Sequence, residues 1–257
     1  MKDQYDVVIV GGAVIGSAVA YYLAANPDFD GSVLVVERDP TYLKAATSLS
    51  SSSIRTQFSN PINVKISQYG SEVIRNFGEM MQVEGDRPDL GFHSGGYLFL
   101  AGTPEQVQVL KENHEVQVSC GADVVLWNRD ELANAFPHLN VADIELASYG
   151  RSGEGWFNNT GLMYGFKNKA RALGVEYVTD EAVTIGRDGD TVTSVTFKSG
   201  AVVKAGAIVN ASGPARRLPP AWLVSISRWS RASAHCSSSI APARRREPRM
   251  STRGVFP

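Results

Sequence analysis

Residues 6–20 read DVVIVGGAVIGSAVA, and no other stretch limits the fold as sharply. Val7-Val8-Ile9-Val10 is a short β-branched run, which favours a buried strand. Gly11-Gly12 then breaks the chain. A run of small residues from Val14 onward has the character of a helix packed closely on a sheet. Gly11, Ala13 and Gly16 occupy the three positions of a G-x-G-x-x-G fingerprint. In that fingerprint the first glycine makes the tight turn, the second lets backbone approach a pyrophosphate, and the third lets helix and strand pack. The helix start presents free N–H groups and the positive end of its dipole to phosphate. Ala13 adds one methyl at the close-approach position, so we expect a displaced phosphate and not an excluded one. Gly12, Val14 and Ile15 complete the loop.

The context strengthens the motif. Asp28, Asp30 and Gly31 turn the chain, and Val33-Leu34-Val35-Val36 forms a second buried run that ends at Glu37-Arg38. Glu37 stands where an acid accepts hydrogen bonds from ribose hydroxyls, and an acid there argues against the 2′-phosphate of NADP. The alternative is an ordinary βαβ unit with a surface glutamate. The stretch after Glu37 does not run on into further β/α units. It becomes a hydroxyl-rich loop from Thr47 to Ser53, followed by Ile54-Arg55. Such a loop suits a long polar ligand, while a flexible serine linker is the plainer reading.

A transmembrane span at 7–25 is rejected. The segment is nineteen residues without a charge, near a spanning length, but glycines interrupt it. The preceding MKDQYD also lacks the positive flank of a signal sequence. Cys120 and Cys236 are the two cysteines, in no metal or redox spacing. A metal site is therefore not expected, and a reducing cytoplasm is. The net charge of −1 gives no ground for a nucleic-acid or membrane partner.

VVIVGGAVIGSAVAYYLA, VLVVERDPTY, LSSSSIRTQFS, GGYLFLA and AIVNASGP together resemble the D-amino-acid oxidase-type FAD-dependent oxidoreductases. Within them the chain is most similar to the sarcosine and dimethylglycine oxidising enzymes and the FOXRED-like branch. The resemblance runs from about Asp6 to Pro214. It implies an α/β fold: a Rossmann-like FAD-binding domain (1–90 and 145–213) interleaved with a partial α+β substrate domain (91–144) built on an antiparallel sheet. It implies FAD as cofactor and an amine or amino-acid substrate. The reaction it implies is oxidation of a C–H next to nitrogen by hydride transfer to the flavin. The alternative is a non-catalytic FAD-binding or assembly protein, or an inactive truncated remnant. By the same resemblance, Gly11, Ala13 and Gly16 match the pyrophosphate loop and Glu37 the ribose acid. Ser51, Ser52, Ser53 and Arg55 match the loop that approaches the flavin. Val183 matches the strand that meets the adenine, and Ala211, Ser212 and Gly213 the strand end that closes over the cofactor. Two departures stand out: Ala13 replaces glycine, and no histidine in the Ser50–Arg55 loop is present to carry a covalent flavin.

No catalytic residue is assigned. His93, His114 and His138 have no triad or ligand spacing and read as surface or capping residues. Tyr97 and Trp156 are pocket candidates whose leading reading is core. Arg55 suits a reduced, anionic flavin, since a fixed positive charge favours it; a surface ion pair is the competing reading. Helices are expected over 66–81, from Thr103, from Asp130 and over 162–173. A hairpin is expected at Ser199-Gly200, and a third buried strand over 207–210.

From Pro214 the composition changes. Residues 214–257 hold nine Arg, no Lys and one acid, Glu247. A natural basic tail, a disordered linker and a frameshifted reading of a GC-rich gene all fit. The reading taken forward is the third: truncation after about residue 213, with an irregular basic tail over 214–257.

Overall fold

A computed structural model describes residues 1–213. The expectations for 214–257 lie outside the described residues.

Strand β1 (Gln4–Val10) leads into helix α1 (Val14–Ala24) and strand β2 (Val33–Glu37). The short β3 (Ser53–Ile54) precedes α2 (Pro61–Met80). Next come β4 (Tyr97–Ala101), α3 (Pro104–Ser119), β5 (Val124–Asn128), α4 (Arg129–Ala135) and β6 (Leu146–Gly150). The chain returns through β7 (Gly155–Trp156), α5 (Asn159–Ala172), β8 (Glu176–Thr179), β9 (Ala182–Asp188), β10 (Thr191–Phe197) and β11 (Val202–Asn210).

The main sheet has the order β8-β2-β1-β11-β10-β9. Its first four strands are parallel, and β10 and β9 continue antiparallel. The β-branched runs read from sequence occupy the centre: Val7–Val10 pair with Val33–Val36 on one side and with Ala207–Asn210 on the other. Period-two alternation divides their side chains between two cores. Val7, Ile9, Val33 and Val35 pack with Ala20, Tyr21, Phe77, Phe166 and Ala170 on the helical face. Val8, Leu34 and Val36 pack with Val195, Phe197 and Val203 on the other. The segment at 7–25 is thus β1, a glycine turn and α1, and no helix among the described residues is long and apolar enough to cross a membrane.

A separate antiparallel sheet has the order β4-β6-β5. It takes in β6, beyond the crossing expected at residues 144/145. A two-stranded ribbon pairs β3 with β7, Ser53 opposite Trp156.

Three helices begin earlier than expected, each at an asparagine cap. Asn60 accepts from Ile62 N–H with Pro61 in the first turn, so α2 starts at Pro61 and not Ile66. Asn128 and Glu131 form a capping box for α4. Asn158 accepts from Gly161 N–H and starts α5 at Asn159, not Leu162. A side-chain acceptor satisfies amides that the helix itself leaves free, so the cap sets the start. Helix α3 starts at Pro104 behind the Thr103 cap, as expected.

Candidate functional site

β1 is followed by Gly11, whose φ of +99° lies in the left-handed region. A Cβ there would stand 2.5 Å from the Ala211 carbonyl oxygen, so the ends of β1 and β11 touch through backbone. At Gly16 a Cβ would lie 1.8 Å from the Gly11 carbonyl oxygen. Both positions therefore exclude any side chain. Ala13 caps α1 in extended conformation (φ −70°, ψ −166°), which alanine adopts without strain. Its side chain caps nothing, and the first turn carries no acid. The Val14 N–H reaches Thr47 Oγ1 at 3.4 Å, and the Ile15 side chain is exposed. The helix start is thus an amide-lined end whose own first turn carries no negative charge.

Glu37 closes β2 beside this loop. Its Oε2 accepts from Gly12 N–H at 2.8 Å and its Oε1 from Asp39 N–H at 2.9 Å. Each oxygen keeps a lone pair for a further donor. Behind Gly12 stands Tyr42, whose hydroxyl would lie 3.4 Å from a Cβ there and accepts from Lys167 Nζ at 3.0 Å. Burial holds the Lys167 ammonium below its ordinary pKa, with Arg171 adding repulsion. Burial also pushes the Tyr42 phenol up. Arg38 turns outward and pairs with Glu181 at 3.6 Å. That ion pair ties the end of β2 to the turn before Val183, which is partly exposed on β9.

The serine loop is a fixed strap. The Asn159 side chain donates to the carbonyls of Thr47 and Ser50. The Ser52 carbonyl accepts from Phe157 N–H at 3.1 Å, and Ser53 pairs within the ribbon. Ser52 has φ +59°, while Ser51 and Ser53 are exposed. The strap thus runs from the start of α1 to the second sheet. It ends at Arg55, whose guanidinium lies over Phe58, Tyr97 and Phe99 at 4.7, 5.4 and 5.7 Å. Arg55 makes no ion pair among the described residues, and its buried Nε has no hydrogen-bond partner there. The surface-ion-pair reading thus finds no partner acid among the described residues.

The strand end at Ala211–Gly213 lies beside the loop: Ala211 N–H donates to the Val10 carbonyl at 2.8 Å. Ser212 Oγ donates to Asn210 Oδ1 at 2.7 Å, and Gly213 has φ +66°. Residues 11–16, Glu37 and 211–213 thus gather at the carboxyl ends of three adjacent parallel strands, where open α/β sheets bind ligands. His114 bonds the Val124 carbonyl and His93 stacks on Trp156 at 4.1 Å. Trp156 is 52% exposed, so its reading as core is corrected. Tyr42, Asn159 and Lys167 have no counterpart in the sequence reading, and Thr47 enters it only as the start of the hydroxyl-rich loop. Their contacts join residues 33 to 125 positions apart, which no local pattern signals.

Comparison with known proteins gives the same picture. The FAD dependent oxidoreductase family model matches residues 6–242. FAD-dependent oxidoreductase domain-containing protein 1 of Xenopus laevis is 42% identical over 202 residues, covering 74% of this chain and 40% of that protein. The mitochondrial dimethylglycine dehydrogenase of Rattus norvegicus is 29% identical over 213 residues, covering 82% of this chain and 24% of that one. The crystal structure of glycine oxidase from Geobacillus kaustophilus superposes with a TM-score of 0.70 at 25% identity, covering 85% of this chain and 58% of that chain. The chain therefore spans less than half the length of these two curated relatives. With the parallel strands, the glycine turn and the acid at the end of β2 in the order that the fold requires, the chain belongs to the FAD-dependent oxidoreductase family.

Proposed function

We propose that the chain binds FAD along the carboxyl ends of β2, β1 and β11. We propose further that it serves oxidation of a C–H next to an amine nitrogen, in an amino acid or N-methyl amino acid, by hydride transfer to the flavin. The observation that carries the binding half is the Gly11–Ala211 backbone contact, with Glu37 bonded to Gly12 beside it. The amides at the start of α1 would hold the pyrophosphate. The free lone pairs of Glu37 would take ribose hydroxyls, with Val183 toward the adenine end. Ser51, Ser52, Ser53 and Arg55 would flank the flavin end, where the guanidinium favours negative charge. FAD, when bound, supplies the two-electron acceptor. The substrate class is supported by the names of the relatives, which act on dimethylglycine and glycine. Residues 1–90 with 151–213 form the cofactor unit in this reading, and the sheet β4-β6-β5 the substrate side. A reducing compartment such as the cytoplasm is supported by the low cysteine count, two in 257 residues.

The test is an FAD titration of the purified full chain, followed by anaerobic mixing with glycine, sarcosine, dimethylglycine or a D-amino acid. Glu37→Ala should weaken FAD roughly tenfold to a hundredfold, the worth of one charge-assisted hydrogen bond. Equal affinity in that variant would remove Glu37 from the site. The second reading is FAD binding without turnover. Bound FAD that none of these amines bleaches would establish it.

A further inference from the structure

Glu154 is fully buried, yet it is absent from every ion pair among the described residues. Burying a carboxylate is costly unless donors replace its water. Here they do. Its Oε1 accepts from both the N–H and the Oγ–H of Thr56, each at 2.6 Å. Its Oε2 accepts from Gln57 Nε2 at 2.9 Å. That amide also donates to the Tyr97 carbonyl at 2.7 Å, and Gln57 Oε1 accepts from Ser148 Oγ–H at 2.6 Å. The site is built around the carboxylate: a Cβ at Gly150 would collide with Glu154 Oε2 at 2.0 Å. Flanking glycines let the chain dive in, with Gly153 at φ +72° and Gly155 at φ +152°.

The two residues clamped by Glu154 directly follow Arg55. Gln57 bonds the backbone of Tyr97, whose ring is one of the three under the guanidinium. We propose that Glu154 is a positioning residue that acts through Arg55. Its acceptor-only carboxylate locks Thr56 and Gln57 onto β4 and β6, and this sets where the Arg55 charge stands. The effect on the flavin rests on the reading that FAD binds with Arg55 at its flavin end; the clamp itself does not.

The isosteric Glu154→Gln variant tests both. With its amide nitrogen toward Gln57 Nε2, two donors face each other. Gln57 must then turn and set its oxygen against the Tyr97 carbonyl. In the full chain without FAD, phenylglyoxal labelling is followed by peptide mass spectrometry. Arg55 should label at least about tenfold faster in Glu154→Gln, while exposed Arg87 and Arg171 and partly buried Arg187 keep their rates. Equal Arg55 rates overturn the clamp whether or not FAD binds. If Arg187 also accelerates, the variant has unfolded and Thr56→Val decides. It removes one donor and keeps the shape, and should speed Arg55 labelling about threefold; no change overturns the clamp.

With FAD bound, the direction of the midpoint potential separates positioning from simple charge. Removing a negative charge would raise the potential. Losing the guanidinium's position lowers it, and that is the expected result. Glu154→Gln should have no further effect in an Arg55→Met background. A rise, or an equal shift in that background, overturns action through Arg55. A chain that takes up no FAD overturns the cofactor reading, and the labelling result then stands alone.

Discussion

The β1-α1-β2 unit and the β4-β6-β5 sheet are held by different physics. In the first, Val7–Val10 and Val33–Val36 are all buried, and glycines let backbone touch backbone. In the second, only Ala101, Val124, Ala147, Ser148 and Gly150 are buried along three strands. Its junction with the strap is a polar cluster of Glu154, Gln57, Thr56 and Ser148. Apolar burial is non-directional and tolerates small shifts. A buried polar cluster fails when one partner is lost. Precision at the cradle thus comes from excluded volume, and at the strap from hydrogen-bond pairing.

The largest expected effect tests the cradle side. Gly16→Ala places a methyl against the Gly11 carbonyl, where only backbone movement relieves the overlap. It should cost about 3 kcal/mol in chemical denaturation. A loss below 1 kcal/mol would mean that the loop is pliable and the contrast false. The junction comes next. Ser148→Ala leaves the buried Gln57 Oε1 without its donor and should cost about 1–2 kcal/mol, with apolar packing untouched. No measurable loss would reduce that cluster to a passive filler.

The smallest effect lies on the rim of the second sheet. Hydrogen bonds and charge from Arg151 hold the Asp123 carboxyl below its ordinary value of 3.8. The pair therefore contributes above that value, and its contribution is lost as pH falls below it. Arg151 is exposed and Asp123 partly so, so Asp123→Asn should cost less than about 1 kcal/mol at neutral pH. Denaturation curves of the variant should also fall less steeply below pH 4 than those of the parent. An unchanged acid slope would remove this pair from the account.

The same contrast explains what could be read in advance. The parallel centre of the fold was legible because its strands are continuous β-branched runs and its turn is written in glycine. The Ser199-Gly200 hairpin and the 207–210 strand were legible for similar reasons. Three helices start earlier than expected because an asparagine cap sets each start. β6 reads LASYG and β7 only GW, too short or too mixed for an alternation signal. The loop residues and Glu37 were visible as a motif. Glu154 was not, because its partners lie 97 and 98 residues away and an acid beside glycine reads as a turn.

One pairing described above also bears on how the chain reaches this state. β1 is a central strand, and one of its two edges is covered by residues 204–210. On a ribosome, that partner emerges almost two hundred residues after β1 does. Until then, one edge of a strand read as Val7–Val10 stands open, with its amides unpaired and its neighbours apolar. Long-range pairing of this kind is slow and exposes aggregation-prone edges. The last strand described is therefore the one that closes the first, and release from the ribosome before about residue 210 would leave the core of the cradle unsealed.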